Sequence, residues 1–340
     1  MKQYTVASIP GDGIGPEVMT AVRHVLDAAD ANLHWVEYLA GQSALDQGLA
    51  LMPEATLEAI TEHKLALKGP CTTPVGGGFS SVNVQLRQQL KLYAAVRPVR
   101  SLEGVDTRYT DVDIVVVREN TEGLYSGIEN EVTEGVVTSL KVVTGKASRR
   151  IARWAFQYVK ERGLDRLTVF HKANIMKLTD GMFIRCAREI HEQSFPGIDY
   201  QELIIDAGCM KLVQDPSAFQ VLLLENLYGD VVNDLCAGLV GGLGVVPGAN
   251  IGEDIAVFEA VHGSAPDIAG KGIENPLALL MSSVMLLNHI ARGEGDAGCD
   301  KIAERIKQAY NQALVDGAKT RDLGGSLGTQ EFAAAVAERL

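Results

Sequence analysis

Short runs of apolar and β-branched residues alternate along this chain with longer stretches whose apolar positions recur every three or four residues. YTVASI leads into a helical pattern over 17–29; LALKGP, VDIVVVREN, LTVFHKA and YQELIID are further strand-like runs, and 148–162 and 179–192 further helical ones. The pleat of a strand repeats every second residue and the α-helix every 3.6, so the rhythm predicts strands joined by helices. That order implies an α/β fold with much parallel sheet. Two segments break it. Residues 123–145 alternate without a helical period, which predicts a hairpin arm. Residues 244–275 are dominated by Gly, Pro, Ala and Asn, which predicts functional loops.

Two uncharged stretches raise the question of a membrane helix. Residues 235–252 carry six glycines, a proline and an asparagine, which predicts a helix end followed by a close-packed loop. Residues 275–291 read as a buried helix with Asn275 as N-cap and Pro276 at the first helical position. The stretch Pro10-Gly-Asp-Gly-Ile-Gly-Pro16 invites a dinucleotide-fold reading. Its third glycine comes too early for GxGxxG and a proline follows, so a tight turn feeding a helix is the better prediction.

Composition narrows the picture. The 340 residues can bury a large core, split over two domains. A net charge of −12 argues against nucleic-acid and anionic-membrane partners. Five widely spaced cysteines without a CxxC point to a reducing cytoplasm, and the strand-like start leaves no room for a signal or transit peptide.

Asp230 and Asp234 stand four apart in NLYGDVVNDLCAGLVGGLG. On a helix both carboxylates share one face, with no cationic side chain near in sequence. A hard divalent ion such as Mg²⁺ or Mn²⁺ would relieve their repulsion; a solvated acidic turn is the plain alternative. Arg87, Arg97 and Arg118 punctuate apolar segments, and guanidinium forks grip carboxylates bidentately, so three converging arginines would hold a polycarboxylate. Each taken alone reads as a surface ion pair. Ser81 and Asn83 can hydrogen-bond the same ligand or cap a helix. Lys172, just past a buried strand, can act as a base, Tyr125 can donate a proton, and Asp206 can add a third metal carboxylate.

Together the segments GDGIGPE, LKGPCTTPVGGGFSSVNVQLR, LYAAVRP, VRENTEGLYSGIE, HKANIMKLTDGMF, NLYGDVVNDLCAGLVGGLG, PGANIG and FEAVHGSAPDIAGKGIENP resemble the β-decarboxylating dehydrogenase family. That family includes isocitrate, isopropylmalate, homoisocitrate and tartrate dehydrogenases. The resemblance implies an isocitrate/isopropylmalate dehydrogenase-like α/β fold, not Rossmann. It has a large cofactor-binding domain (1–98 and 251–340) and a small domain (99–250) bearing a dimer arm at about 123–145. It implies substrate contacts from Ser81, Asn83, Arg87, Arg97 and Arg118, catalysis by Tyr125 and Lys172, and metal binding by Asp206, Asp230 and Asp234. In the family the lysine and the first aspartate come from the partner subunit, so a homodimer shares its active sites.

Ser81 and Asn83 are polar where isopropylmalate enzymes are apolar, which implies isocitrate, oxidatively decarboxylated to 2-oxoglutarate. Homoisocitrate, isopropylmalate and tartrate remain alternatives, as does a non-catalytic regulatory subunit. The stretch His262-Gly263-Ser264-Ala265-Pro-Asp267-Ile268 implies NAD. NADP-type relatives place Lys-Tyr at the last two positions, whereas Asp267 would accept from both ribose hydroxyls and repel a 2′-phosphate by ~4 kcal/mol at ~4 Å and an effective dielectric of ~20. Asn275 is expected at the adenine, with Thr72, Thr73 and the 263–265 backbone near the nicotinamide or pyrophosphate. Three positions depart from the family: Lys91 replaces an aspartate, Glu225 a proline before NLYGD, and Cys71 a bulkier apolar residue. Cys71 would make the protein sensitive to thiol reagents.

Overall fold

The computed structural model describes residues 1–74 and 80–340; residues 75–79, within one of the motifs quoted above, lie outside the described residues. The chain begins with β1 (Tyr4–Ile9), α1 (Gly15–Ala28), β2 (Leu33–Glu37), α2 (Gln42–Leu45), α3 (Glu54–His63) and β3 (Leu65–Lys68). It continues through α4 (Val82–Gln89), β4 (Ala94–Arg100), β5 (Asp113–Glu119), β6 (Glu129–Thr133), β7 (Val136–Ser139), α5 (Gly145–Glu161) and β8 (Arg166–His171). Then come α6 (Thr179–Ser194), β9 (Asp199–Ile204), α7 (Ile205–Gln214), β10 (Val221–Leu224) and α8 (Asn226–Leu239). It closes with β11 (Pro247–Ile251), β12 (Ala256–Ala260), α9 (Leu277–Glu294), α10 (Ala297–Val315) and α11 (Thr329–Ala337).

Ten strands form one sheet in the order β2-β1-β3-β12-β11-β4-β5-β10-β8-β9. It is parallel towards both edges and antiparallel in the middle, where β11 pairs with β12 and β4, and β4 with β5. Strands from the two chain ends lie on one side of that middle, and those from the central chain on the other. Helices cover both faces, which is why VLLL, LTVF and IVVV are apolar without alternation.

The loop expectation for 244–275 is corrected here, because β11 and β12 lie inside it. PGANI has no strand-like composition, yet it is almost wholly buried between two neighbours, where small residues suit close backbone packing. The second uncharged stretch is the buried helix α9, packed on β11, β12 and α10. It starts one residue later than expected, with Pro276 at the N-cap and Asn275 Oδ1 accepting from the Leu277 N–H at 3.0 Å. No helix among the described residues is long and apolar enough to cross a membrane.

The PGDGIGP stretch is a tight turn into α1. A Cβ on Gly13, whose φ is +61°, would stand 1.9 Å from the Ser264 carbonyl oxygen, so only glycine admits that approach. The 123–145 segment forms the hairpin β6–β7, exposed along its whole length.

Candidate active site

A cavity of ≈ 320 Å³ opens on side chains from β3, α4, β4, β5, α8 and β12. Its floor is Glu259. Lys68 and Glu259 are register partners on neighbouring parallel strands, and Lys68 Nζ lies 2.7 Å from Glu259 Oε2. Arg87 Nη2 and Arg97 Nη2 reach Oε1 at 3.3 and 3.2 Å, and Asn250 Nδ2 donates to the same oxygen at 2.7 Å. Gly248 on β11 makes room for this, since a Cβ there would overlap the Arg97 guanidinium.

Three cations around one carboxylate leave a positive excess, all of it buried. Burial opposes ionisation of Glu259, yet Lys68, Arg87 and Arg97 hold it well below the usual carboxylate range. The strain appears on the cationic side: burial lowers Arg97 to about 10 against the pull of Glu259. Arg87 Nε and Arg97 Nη1 are buried without a hydrogen-bond partner among the described residues. Unused donors in a positively charged cavity are what an anionic ligand satisfies.

The opposite wall carries Arg118, Tyr125 and Asp230. Arg118 and the Tyr125 hydroxyl each donate to one Asp230 oxygen. Arg118 also donates to Asn226 Oδ1 at 3.0 and 2.7 Å and lies 4.9 Å from the centre of the Tyr125 ring. Burial, then the neighbouring Arg87, lowers the Arg118 pKa, and burial, then the bond to Asp230, raises that of Tyr125. The absence of a cation near Asp230 in sequence does not carry over to space, because β5 delivers Arg118 to it from 112 residues away.

Ser81 and Asn83 line the same cavity at the start of α4. Ser81 occupies the N-cap position, but its side chain does not cap; the Val82 N–H is taken by Thr73 Oγ1 at 3.1 Å. That leaves the Ser81 hydroxyl available to a ligand, and Asn83 Oδ1 is buried without a partner among the described residues.

Lys172 and Asp206 are elsewhere. They follow the neighbouring strands β8 and β9, and Lys172 Nζ meets Asp206 Oδ1 at 2.6 Å on an open surface, where the aspartate side chain is 69% exposed. Lys172's hydrogen bond lowers the Asp206 pKa. Among the described residues no three His, Cys, Asp or Glu side chains come together to hold a metal. Asp230 and Asp234 nevertheless share one face of α8, and an all-oxygen pair suits an Mg²⁺-like ion that keeps waters and takes further oxygens from its ligand.

The cofactor-side candidates gather around α1. Thr72 Oγ1 and Ser264 Oγ lie 2.6 Å apart, and the Ile14 N–H donates to the Ser264 carbonyl at 3.0 Å. His262 and Gly263 border the cavity, and burial lowers the His262 pKa, keeping the ring neutral. Ala265 adopts a left-handed φ of 37°, Asp267 is exposed, and Ile268 is half-buried with its N–H on the Ala265 carbonyl at 3.1 Å. Asn275 is buried with both amide ends engaged, donating to Asp322 at 2.9 Å. The surroundings are acidic: burial, then Asp322, pushes Glu274 up to about 6, with Glu17 and Asp267 adding to it. A carboxylate-rich rim suits a free ribose and disfavours an added phosphate.

Four residues of this architecture went unmarked in the sequence. Lys68, Glu259 and Asn250 brace the arginines, and Asp12 ties the α1 turn to the N–H groups of Gln42, Ser43 and Thr72 at 2.9, 2.7 and 2.6 Å. The available signal was opposite charges inside two apolar strands, LALK and AVFEA. Of the departures, Cys71 is a free cysteine whose thiol pKa is raised by burial against the pull of Lys68, which lowers its share of thiolate. Lys91 takes a left-handed φ of 53°, and nothing in the structure explains the choice of lysine.

Residues 5–336 match the family model described as isocitrate/isopropylmalate dehydrogenase. The mitochondrial catalytic subunit 5 of NAD isocitrate dehydrogenase from Arabidopsis thaliana is 49% identical over 338 residues, covering 99% of this chain and 88% of that protein. The chloroplastic 3-isopropylmalate dehydrogenase of Solanum tuberosum is 49% identical over 91% of this chain and 84% of its own. The crystal structure of isocitrate dehydrogenase from Methylococcus capsulatus superposes with a TM-score of 0.93 at 46% identity, over 99% of both chains. The cytoplasmic expectation is corrected by these findings, since the similar NAD isocitrate dehydrogenase subunits of plants and animals are mitochondrial. Reduced thiols distinguish a reducing from an oxidising compartment and nothing finer. Fold, cavity and full-length similarity agree: the chain belongs to the isocitrate/isopropylmalate dehydrogenase family.

Proposed function

We propose that this protein oxidatively decarboxylates isocitrate to 2-oxoglutarate and CO₂, reducing NAD⁺ and requiring Mg²⁺ or Mn²⁺. The observation that carries the reading is the single cavity in which Arg87, Arg97 and Arg118 converge with Ser81 and Asn83 and with Asp230. A tricarboxylate uses all three guanidinium groups and the polar α4 wall, whereas an isopropyl tail would leave that wall unpaired at a cost of about 1–3 kcal/mol per buried group.

The arginines bind and orient the substrate carboxylates, and the Lys68–Glu259–Asn250 brace keeps two of them from repelling each other apart. In the free site Arg118 and Tyr125 share the oxygens of Asp230. Both must exchange that carboxylate for substrate oxygens. Tyr125, kept protonated by its raised pKa, then returns a proton to the carbon that has lost CO₂. Lys172 takes the proton of the substrate hydroxyl. A divalent ion held by Asp230, Asp234 and the partner's Asp206 would acidify that hydroxyl and stabilise negative charge on its oxygen, and NAD⁺, with Asp267 at its ribose, would accept the hydride.

Lys172 and Asp206 reach a substrate only from a second subunit, so a homodimer with shared sites is part of the proposal. Exposed apolar side chains support it. Ile175, Met176 and Leu178 flank Lys172, Met210 and Val213 share α7 with Asp206, Val231 follows Asp230, and the arm offers Val132 and Val137. Burying that surface against its own copy is what the hydrophobic effect favours. The division into a large domain (1–98, 251–340) and a small one (99–250) belongs to the same reading.

Steady-state rates on isocitrate, homoisocitrate, 3-isopropylmalate and tartrate, each with NAD and NADP, test the assignment. Isocitrate with NAD is expected to give the highest kcat/KM and to lose it with chelator. Faster turnover of isopropylmalate would transfer the reading to that branch of the family, and silence on all four would support a regulatory subunit.

A further inference from the structure

One buried ionic cluster takes part in none of these steps. Lys141, at the end of the arm, places Nζ 2.6 Å from Asp180 Oδ1 and 3.0 Å from Glu225 Oε1, with the Tyr228 ring 4.6 Å away. All three charged side chains are more than nine-tenths buried. Two carboxylates on one ammonium leave a negative excess away from water. Such a cluster is a poor source of stability, so what it holds in place is the informative part.

It joins three elements that carry the proposed chemistry. Asp180 Oδ2 accepts from the Lys172 backbone N–H at 2.6 Å, and the Lys172 carbonyl accepts from Ile175 and Met176 at 2.9 and 2.8 Å. Glu225 precedes α8, and its carbonyl accepts from the Gly229 N–H at 2.8 Å, one residue before Asp230. Lys141 adjoins Val142, whose backbone pairs with Gly123 in the turn that carries Tyr125. Burial pushes the Glu225 carboxyl up against the pull of Lys141, and Lys141 stays protonated because Asp180 and Glu225 outweigh its burial.

We propose that Lys141, Asp180 and Glu225 form a positioning clamp that keeps the Lys172 turn, the Tyr125 turn and the start of α8 in fixed relation within one chain. Glu225 departs from the resembling family, which commonly has proline there, and in this chain the position carries a charged contact to Lys141. The clamp acts through Lys172 and therefore rests on the role proposed above for that residue. In a dimer with shared sites it links the group a chain lends to its partner with the groups it keeps.

The test is a charge-rescue cycle read by kinetics and melting. Lys141→Met leaves two buried carboxylates facing each other, and kcat is expected to fall about 10–100-fold with the KM for isocitrate within about twofold. Adding Glu225→Gln removes one of the repelling charges and is expected to recover most of that loss, and Lys141→Arg to retain most of the wild-type kcat. A double variant no faster than Lys141→Met, or a loss carried by KM alone, overturns the clamp. If Lys141→Met shows no folded-state melting transition, Glu225→Gln alone decides: a lowered kcat at unchanged KM with a shifted pH profile supports the clamp, and wild-type kinetics overturn it. Lys172→Ala, assayed in parallel, separates the two layers. Full kcat in Lys172→Ala sinks the catalytic reading, whereas its loss beside wild-type kinetics in every clamp variant sinks the clamp alone.

Discussion

The floor of the cavity and the Lys172–Asp206 edge are built from the same residue types and differ in almost everything else. Around Glu259 four side chains, Lys68, Arg87, Arg97 and Asn250, converge on one buried carboxylate. At the edge a single lysine meets a single, mostly exposed aspartate, and apolar residues near both in sequence are left uncovered. The first region is finished within one chain. The second leaves its aspartate and the apolar side chains near it in sequence open, and the shared-site proposal rests on that contrast. Buried charge clusters resist removal of one member, while exposed pairs contribute little to folding; the edge should therefore carry activity with little stability, and the floor stability together with substrate binding.

The sharpest contrast is Lys172→Ala. It is expected to lower kcat by roughly 10²–10⁴-fold, the usual worth of a positioned base, while the melting temperature stays that of the parent. A variant that melts early would return Lys172 to a structural role. Glu259→Gln should differ by acting on stability first. With three cations left short of their anion, about 3–5 kcal/mol of stability should disappear in urea unfolding. The acid limb goes with it. Because the folded-state pKa of Glu259 lies well below the ordinary 4.5, its stabilisation is complete above that value and is lost as pH falls through the folded pKa. Stability profiles of parent and Glu259→Gln should therefore converge as pH drops below 4.5. Parallel profiles would assign the acid limb to other carboxylates.

A smaller effect is expected at the cofactor rim. Asp267→Lys should cut kcat/KM with NAD and raise it with NADP, moving their ratio by about 10–100-fold, since each 1.4 kcal/mol is tenfold. The remaining carboxylates around Glu274 keep the switch incomplete. An unchanged ratio would remove Asp267 from cofactor selection.

How far the sequence reached follows from the same contrast. Apolar runs with helical patterns between them gave the parallel flanks of the sheet, because both faces of those strands are buried. The antiparallel middle was hidden, since PGANI is made of small residues and its strand character comes from its neighbours β4 and β12. Arg87, Arg97 and Arg118 were visible as charges in apolar surroundings. Lys68 and Glu259 satisfied the same criterion but lie almost two hundred residues apart, and only the β3–β12 register makes them partners. Asp230 shows the converse failure: its local sequence lacks cations, and the fold supplies one. Local pattern thus reveals which positions must be buried. Which buried charges meet is a property of strand order.

Subunit complementation tests the central claim most directly. Lys172→Ala and Asp230→Asn chains, each inactive alone, are refolded together at equal amounts and assayed with isocitrate, NAD and Mg²⁺. In a shared-site dimer half the dimers are hybrids with one intact site, so about a quarter of the parent rate should return. A mixture no more active than its two components would mean that each site is confined to one chain, and the account would fail.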